Sequence, residues 1–136
     1  MTDPRLLLVD GDESRRGDMA FDLESSHGFI VSQGGSQREA VERLKGPPLD
    51  AVLVMATLPD GDAIPVLQQI SHHAPDAPIS MVVSEPNEHG LRRLAWAEGA
   101  AAVVTAPIDS SELAAALHAL LKVRADRIVA AAARDR

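Results

Sequence analysis

The chain has no cysteine and no tyrosine, only two phenylalanines and a single tryptophan. Without cysteine there is no disulfide framework and no thiolate metal site, which suits a reducing cytoplasm. With so few rings, any core must be built from aliphatic side chains and alanine. Positive charge is also short: 13 Lys and Arg against 20 Asp and Glu leave a formal net charge of -7. That balance argues against a nucleic-acid surface, which holds phosphates with clustered basic residues. No apolar run approaches the roughly 20 residues that span a bilayer. Met1 leads into Thr2-Asp3-Pro4 rather than into the basic and apolar blocks of a signal peptide. The histidines (His27, His72, His73, His89 and His118) are dispersed and show no ligand spacing for zinc. His72 and His73, near a helix end, suit the dipole there. The expectation is a cytoplasmic domain with no membrane segment, no nucleic-acid partner, no metal and no cofactor.

What is present is 136 residues in one domain, long enough to bury a core. Short apolar blocks alternate with helical patterns, and no internal repeat or low-complexity linker interrupts them. Leu6-Leu7-Leu8-Val9 reads as a parallel strand buried on both faces. Asp12 or Glu13 opens a first helix to Ser26 with Met19, Phe21 and Leu23 as its apolar positions, and Gly28 ends it. Phe29 to Val31 reads as the second strand. Gly34-Gly35 is a turn, and Ser36 with Glu39 forms a capping box for a second helix. Ala40, Val41 and Leu44 face that helix inward, and Gly46-Pro47-Pro48 stops it.

Ala51 to Met55 is the third strand, followed by the turn-rich Pro59-Asp60-Gly61-Asp62. A third helix runs from about Ala63 to His73, with Pro65 in its first turn. Pro75 and Pro78 bracket the loop into a fourth strand, Ile79 to Val83. A fourth helix covers about Glu88 to Glu98 and closes at Gly99. Ala101 to Thr105 is the fifth strand, and Asp109 or Ser110 caps a last helix that continues past Ile128. Five strand–helix units predict a doubly wound α/β sandwich, a five-stranded parallel sheet between helices. In such sheets ligands sit outside the carboxyl ends of the strands. The residues to inspect are therefore Asp10-Gly11-Asp12, Met55-Ala56-Thr57, Ser84-Glu85 and Thr105-Ala106-Pro107.

Those clusters resemble the receiver domain of two-component response regulators, of the flavodoxin-like fold, over about residues 3 to 121. In that family two acidic residues follow the first strand; here the pair reads Asp10-Gly11. The phosphoacceptor Asp ends the third strand, with a proline four residues on; here these are Met55 and Pro59. The Ser or Thr after the fourth strand is matched by Ser84. The Lys-Pro pair after the fifth reads Ala106-Pro107, and the resemblance implies a cis bond there. The aromatic switch position falls on Val103. The resemblance thus implies a degenerate pseudo-receiver, lacking nucleophile, metal ligand and cation together. A thioether cannot accept a phosphoryl group as an acyl phosphate, and sulfur is a poor ligand for a hard cation.

Several readings of these residues stay open. Met55 plugs the vacated pocket as a flexible apolar filler, or the pocket admits a small ligand that nothing in the sequence specifies. A substitute carboxylate such as Asp10, Asp60 or Asp62 would keep phosphorylation, although loop solvation explains Asp60 and Asp62 and backbone pairing explains Asp10. The segment to Asp10-Gly11-Asp12 also resembles the first motif of haloacid-dehalogenase-type phosphatases. There the first Asp would be nucleophile and the second a general acid/base, with Ser84 ending a second motif; no later lysine or acidic motif follows.

By the receiver resemblance, partners meet the face of the fourth helix, fifth strand and fifth helix, which carries Arg92, Trp96 and Val103. Either Trp96 buries against Leu91, or it is a part-exposed anchor. The same face offers a homodimer. Residues 1–123 are expected to form the receiver-like domain and 124–136 a helical extension. Lys122, Arg124, Arg127, Arg134 and Arg136 suit a helix carboxyl end. Ile128 and Val129 extend the apolar stripe, so the extension is a frayed end, a dimerising helix or a stalk. The expected role is non-enzymatic signal transduction by protein–protein contact.

Overall fold

A computed structural model of the chain describes residues 2–73 and 77–134. Pro75, expected in the loop before the fourth strand, and Arg136, expected at the basic helix end, lie outside the described residues. The elements in order are β1 (Arg5–Val9), α1 (Glu13–His27), β2 (Ile30–Gly34), α2 (Gln37–Leu44) and β3 (Ala51–Met55). A two-rung hairpin, β4 (Thr57–Leu58) with β5 (Gly61–Asp62), follows and leads into α3 (Ile64–Ser71). Then come β6 (Ile79–Ser84), α4 (His89–Ala97), β7 (Ala102–Thr105) and α5 (Ser110–Arg134). The main sheet has the order β2-β1-β3-β6-β7, with every pair parallel.

Side-chain alternation along the central strands sorts the core into two layers. Leu6 and Leu8, with Leu53, Met81 and Val83, pack with Ala20, Leu23, Leu113 and Leu117 of α1 and α5. Leu7 and Val9, with Val52, Val54 and Val82, pack with residues of α2, α3 and α4 such as Ala40, Val66, Leu67 and Ala95. Continuous apolar strands are what a sheet covered on both faces needs. Each fully buried leucine of this core contributes about 1.5–3 kcal/mol.

Local signals place the helices. Asp12 caps α1 by accepting from the Arg15 N–H at 3.0 Å. Gly28 ends α1 at φ 74, donating its N–H to the Leu23 carbonyl. A side chain there would be strained, which is why glycine closes the helix. Ser36 accepts from the Glu39 N–H at 3.1 Å, and Glu39 accepts in return from the Gly35 N–H at 2.9 Å. Pro65 lies in the first turn of α3, and Asp109 starts α5 by accepting from the Glu112 N–H at 2.8 Å. His72 is the C-cap of α3, and His73 follows it.

Two expectations need correction. Phe21 is 69% exposed, because Ala20 and Leu23 define the buried face of α1 and Phe21 falls off it. The second strand begins at Ile30 and continues to Gly34, since pairing with β1 carries the polar Ser32 and Gln33 into an edge strand. Phe29 is instead a core residue, stacked on His118 with ring centroids 4.5 Å apart. The turn at Pro59 and Asp60, in the segment expected to be turn-rich, connects the two strands of a hairpin. Helix α5 runs through residue 123 unbroken to Arg134, and beyond Leu121 it exposes Val123, Ile128 and Val129. Among the described residues no helix is long and apolar enough to cross a membrane.

Candidate functional site

The carboxyl ends of β1, β3, β6 and β7 converge on one edge of the sheet. Asp10, one residue past β1, is buried. Its carboxylate accepts from Arg15 Nε at 2.6 Å and Arg15 Nη2 at 2.8 Å, a two-pronged charged pair. The Asp12 backbone N–H adds a third bond at 2.9 Å. The neighbouring Arg16 donates through Nη1 to the Asp10 carbonyl at 2.8 Å and through Nε to Gln33 at 3.0 Å. Local folding explains the fork: the cap at Asp12 puts Arg15 in the first turn of α1, from where its side chain reaches back to the strand end. Hydrogen bonding to Asp10 holds the Arg15 proton more tightly than usual, against a desolvation that works the other way. The charges of Asp10, Asp12 and Glu85 add to that hold.

Gly11 sits against Pro59. A Cβ on residue 11 would lie 2.6 Å from both Pro59 Cδ and Cγ, closer than van der Waals contact allows. Met55 ends β3 opposite Val83 and is half-buried. It packs against both core layers and leaves space beside it. With Leu8, Met19, Leu53, Val83, Ala106, Pro107, Ile108 and Leu113 it lines a cleft of about 380 Å³, whose polar residues are Asp10, Arg15 and Glu85. Ala106 brings no cation to this cleft, and the Ala106–Pro107 bond is cis.

Ser84 is fully buried, donating to the Val104 carbonyl at 3.4 Å and accepting from Arg92 Nη1 at 3.1 Å. Arg92 also donates to the Glu85 and Pro86 carbonyls at 2.8 and 3.3 Å and contacts His89. It thereby clasps the loop between β6 and α4. Glu88 ties the same loop to the hairpin, accepting from the Glu85 N–H at 2.6 Å and from the Thr57 hydroxyl.

Asp60 and Asp62 are not simply solvated. Asp60 accepts from the Gln37 and Arg38 N–H groups at 2.8 and 3.2 Å, at the start of α2. The Gln37 bond is the main reason its carboxyl is held below the usual aspartate range. Asp62 accepts from the Ile64 N–H at 2.9 Å and starts α3. Both serve the helix starts. Elsewhere, Trp96 is 54% exposed on α4 near an equally open Leu94, while Val103 of β7 is half-buried against the α4 layer. Among the described residues, no group of three or more His, Cys, Asp or Glu side chains is placed to hold a metal.

The sequence reading brought Asp10, Gly11, Met55, Ser84 and Ala106 to one strand edge, and the structure places them there. It overlooked Arg15. The available signal was a long basic side chain in the first turn of a helix that opens immediately after a buried acid.

A family model described as the response regulator receiver domain matches residues 6–118. This chain belongs to the response regulator receiver family. Receiver domains belong to two-component signalling, and this receiver shares their architecture with many solved structures. It is similar to a CheY-like receiver domain protein from Methanospirillum hungatei, at TM-score 0.84 and 18% identity, covering 93% of this chain and 99% of that one. The receiver domain of an HD domain-containing protein from Pseudomonas fluorescens matches at TM-score 0.82 and 23% identity, covering 93% of each chain. A third neighbour is the receiver domain of a sensor histidine kinase from Pseudomonas aeruginosa, described with magnesium coordinated in its active site cleft. It matches at TM-score 0.79 and 19% identity, covering 89% of this receiver and 99% of that chain. No curated protein matches the sequence.

Proposed function

We propose that this receiver signals in the cytoplasm without phosphotransfer and without enzymatic turnover, through contacts with a protein partner. The observation that carries the reading is the Asp10–Arg15 fork. Asp10 is the one acidic residue left at the strand edge in a family position, and its oxygens are engaged by Arg15 and the Asp12 N–H. Glycine at 11 and a thioether at 55 supply no oxygen ligand, so the residues present do not fit a hard divalent ion. No lysine accompanies Ala106 to balance phosphoryl oxygens. An internal guanidinium does the charge balancing that a bound cation would otherwise do.

Loops that in a switching receiver would respond to phosphate are tied internally by Arg92 and Glu88. This supports a constant surface on α4, β7 and α5 as the partner or dimer face. Trp96 and Leu94 are its exposed apolar residues on α4; Arg92 spends its donors on its own loop, and Val103 contributes packing behind the face. The helix beyond residue 123 extends that face as a stalk or dimerising segment. Neither nucleic acid nor membrane enters this reading, given the net charge of -7.

Incubation with Mg²⁺ and acetyl phosphate, read by intact mass, should leave the chain unmodified. A stoichiometric phospho-adduct overturns the reading in favour of a substitute carboxylate. Mg²⁺-dependent phosphatase turnover lost in Asp10→Asn overturns it in favour of an enzyme. Sedimentation should show a concentration-dependent dimer that weakens in Trp96→Ala; unchanged self-association and partner binding would remove this residue from the face.

A further inference from the structure

The cleft beside Met55 has the character of a small-ligand site rather than a packing defect. Its volume of about 380 Å³ lies within the range of small-molecule pockets, which combine apolar walls with a few convergent polar groups. The walls descend from Met19, Met55 and Ile108 to the buried Leu8, Leu53 and Leu113, so an occupant would displace water from core side chains. The polar residues are Asp10, Arg15 and Glu85. Asp10 and Arg15 neutralise each other through two bonds, which leaves the exposed Glu85 as the net charge of the cleft. The Glu85 backbone is pinned by Glu88 and Arg92, so its carboxylate is offered from a fixed loop.

We infer that this cleft binds a primary amine carried on a compact apolar body, its ammonium group paired with Glu85. An anionic ligand is disfavoured, because Asp10 already pairs with Arg15 through Nε and Nη2 and Glu85 repels a further negative charge. A quaternary ammonium is disfavoured as well. Such cations are held by aromatic cages, and no aromatic residue lines the cleft. An ammonium with N–H donors fits both the charge and the aliphatic walls. The inference rests on the phosphate-independent reading only in requiring the cleft to hold no metal or phosphoryl group.

Methionine methyl labelling of the full chain provides the test, since Met19 and Met55 line the cleft whereas Met81 is core. Titration with 2-phenylethylamine should shift the Met19 and Met55 signals saturably, ahead of Met81. The isosteric 2-phenylethanol and the larger, anionic 3-phenylpropionate should bind more weakly. Glu85→Gln should weaken the amine about tenfold, the size expected for one charge-assisted hydrogen bond. Ala106→Leu should block binding while leaving the far-UV spectrum unchanged. The inference is overturned if none of the probes moves these signals, if the alcohol or carboxylate matches the amine, or if Glu85→Gln binds as well as wild type. A phospho-adduct in the mass assay would instead count against phosphate independence, so the two fail separately.

Discussion

Replacing Arg15 by alanine isolates the interaction on which the site depends. The Asp10 side chain is 5% exposed and would keep one bond, from the Asp12 N–H at 2.9 Å, while losing both charged bonds. Removing one partner of a buried ion pair costs about 3–5 kcal/mol, because the remaining charge is left unpaired. Arg15, however, is 50% exposed, so water and salt already screen its half of the pair. The expected loss lies between the buried and exposed limits, at about 2 kcal/mol.

Urea unfolding followed by far-UV circular dichroism measures this directly; fluorescence is less useful because Trp96 is already open to solvent. Arg15→Ala should be less stable than wild type by about 2 kcal/mol at neutral pH. Asp10→Asn combined with Arg15→Ala should recover part of the loss, since the amide still accepts from Asp12 and carries no charge. The double-mutant cycle then gives the coupling. If Arg15→Ala stays within about 0.5 kcal/mol of wild type at neutral pH, the fork is an ordinary surface pair and the internal-cation account fails.

Three further outcomes follow from other parts of the site. Gly11→Ala should cost about 1–3 kcal/mol in denaturant unfolding, because its Cβ would lie 2.6 Å from the Pro59 ring; a neutral effect would show that the hairpin yields freely. Met55→Asp alone should not restore Mg²⁺-dependent phosphorylation by acetyl phosphate, since Asp10 stays in its fork with Arg15; a phospho-adduct on residue 55 would refute this. The Asp60 carboxyl carbon should titrate by NMR below the ordinary aspartate value, and more normally in Gln37→Pro, which deletes the main donor. Folding lowers the proton affinity of this carboxyl, so it stabilises the fold above the ordinary aspartate range and the benefit is lost as pH falls through the lower folded value.

What the sequence revealed and what it hid differ in kind. Strands β1, β3 and β6 were legible because they are buried on both faces, and a continuous aliphatic run has few other uses. The edges were less so: β2 carries Ser32 and Gln33, and only pairing with β1 makes them strand. The positions of Asp10, Gly11, Met55, Ser84 and Ala106 could be read from spacing, since each lies at or just past the end of a strand. The partners of those residues could not. Arg15 belongs to a helix whose rotation depends on where Asp12 caps it, and nothing in a linear pattern says which way a long side chain folds. Asp60 likewise reads as a loop acid until α2 is brought beside the hairpin and its first N–H groups need acceptors.

Missing groups and present groups therefore carry different weight in this receiver. A glycine where an acid is expected reads as a loss, yet the Pro59 ring against it makes the loss structural. An absent lysine reads as a missing charge, yet Arg15 supplies a guanidinium to the same carboxylate edge from another element. On the phosphate-independent reading proposed above, phosphotransfer would require an acid at 55, space at 11 and release of Asp10, changes that lie on three different contacts. Single reversions meet an intact remainder. On that reading the site is held in place by packing and by an ion pair, and does not rest on the identity of residue 55 alone.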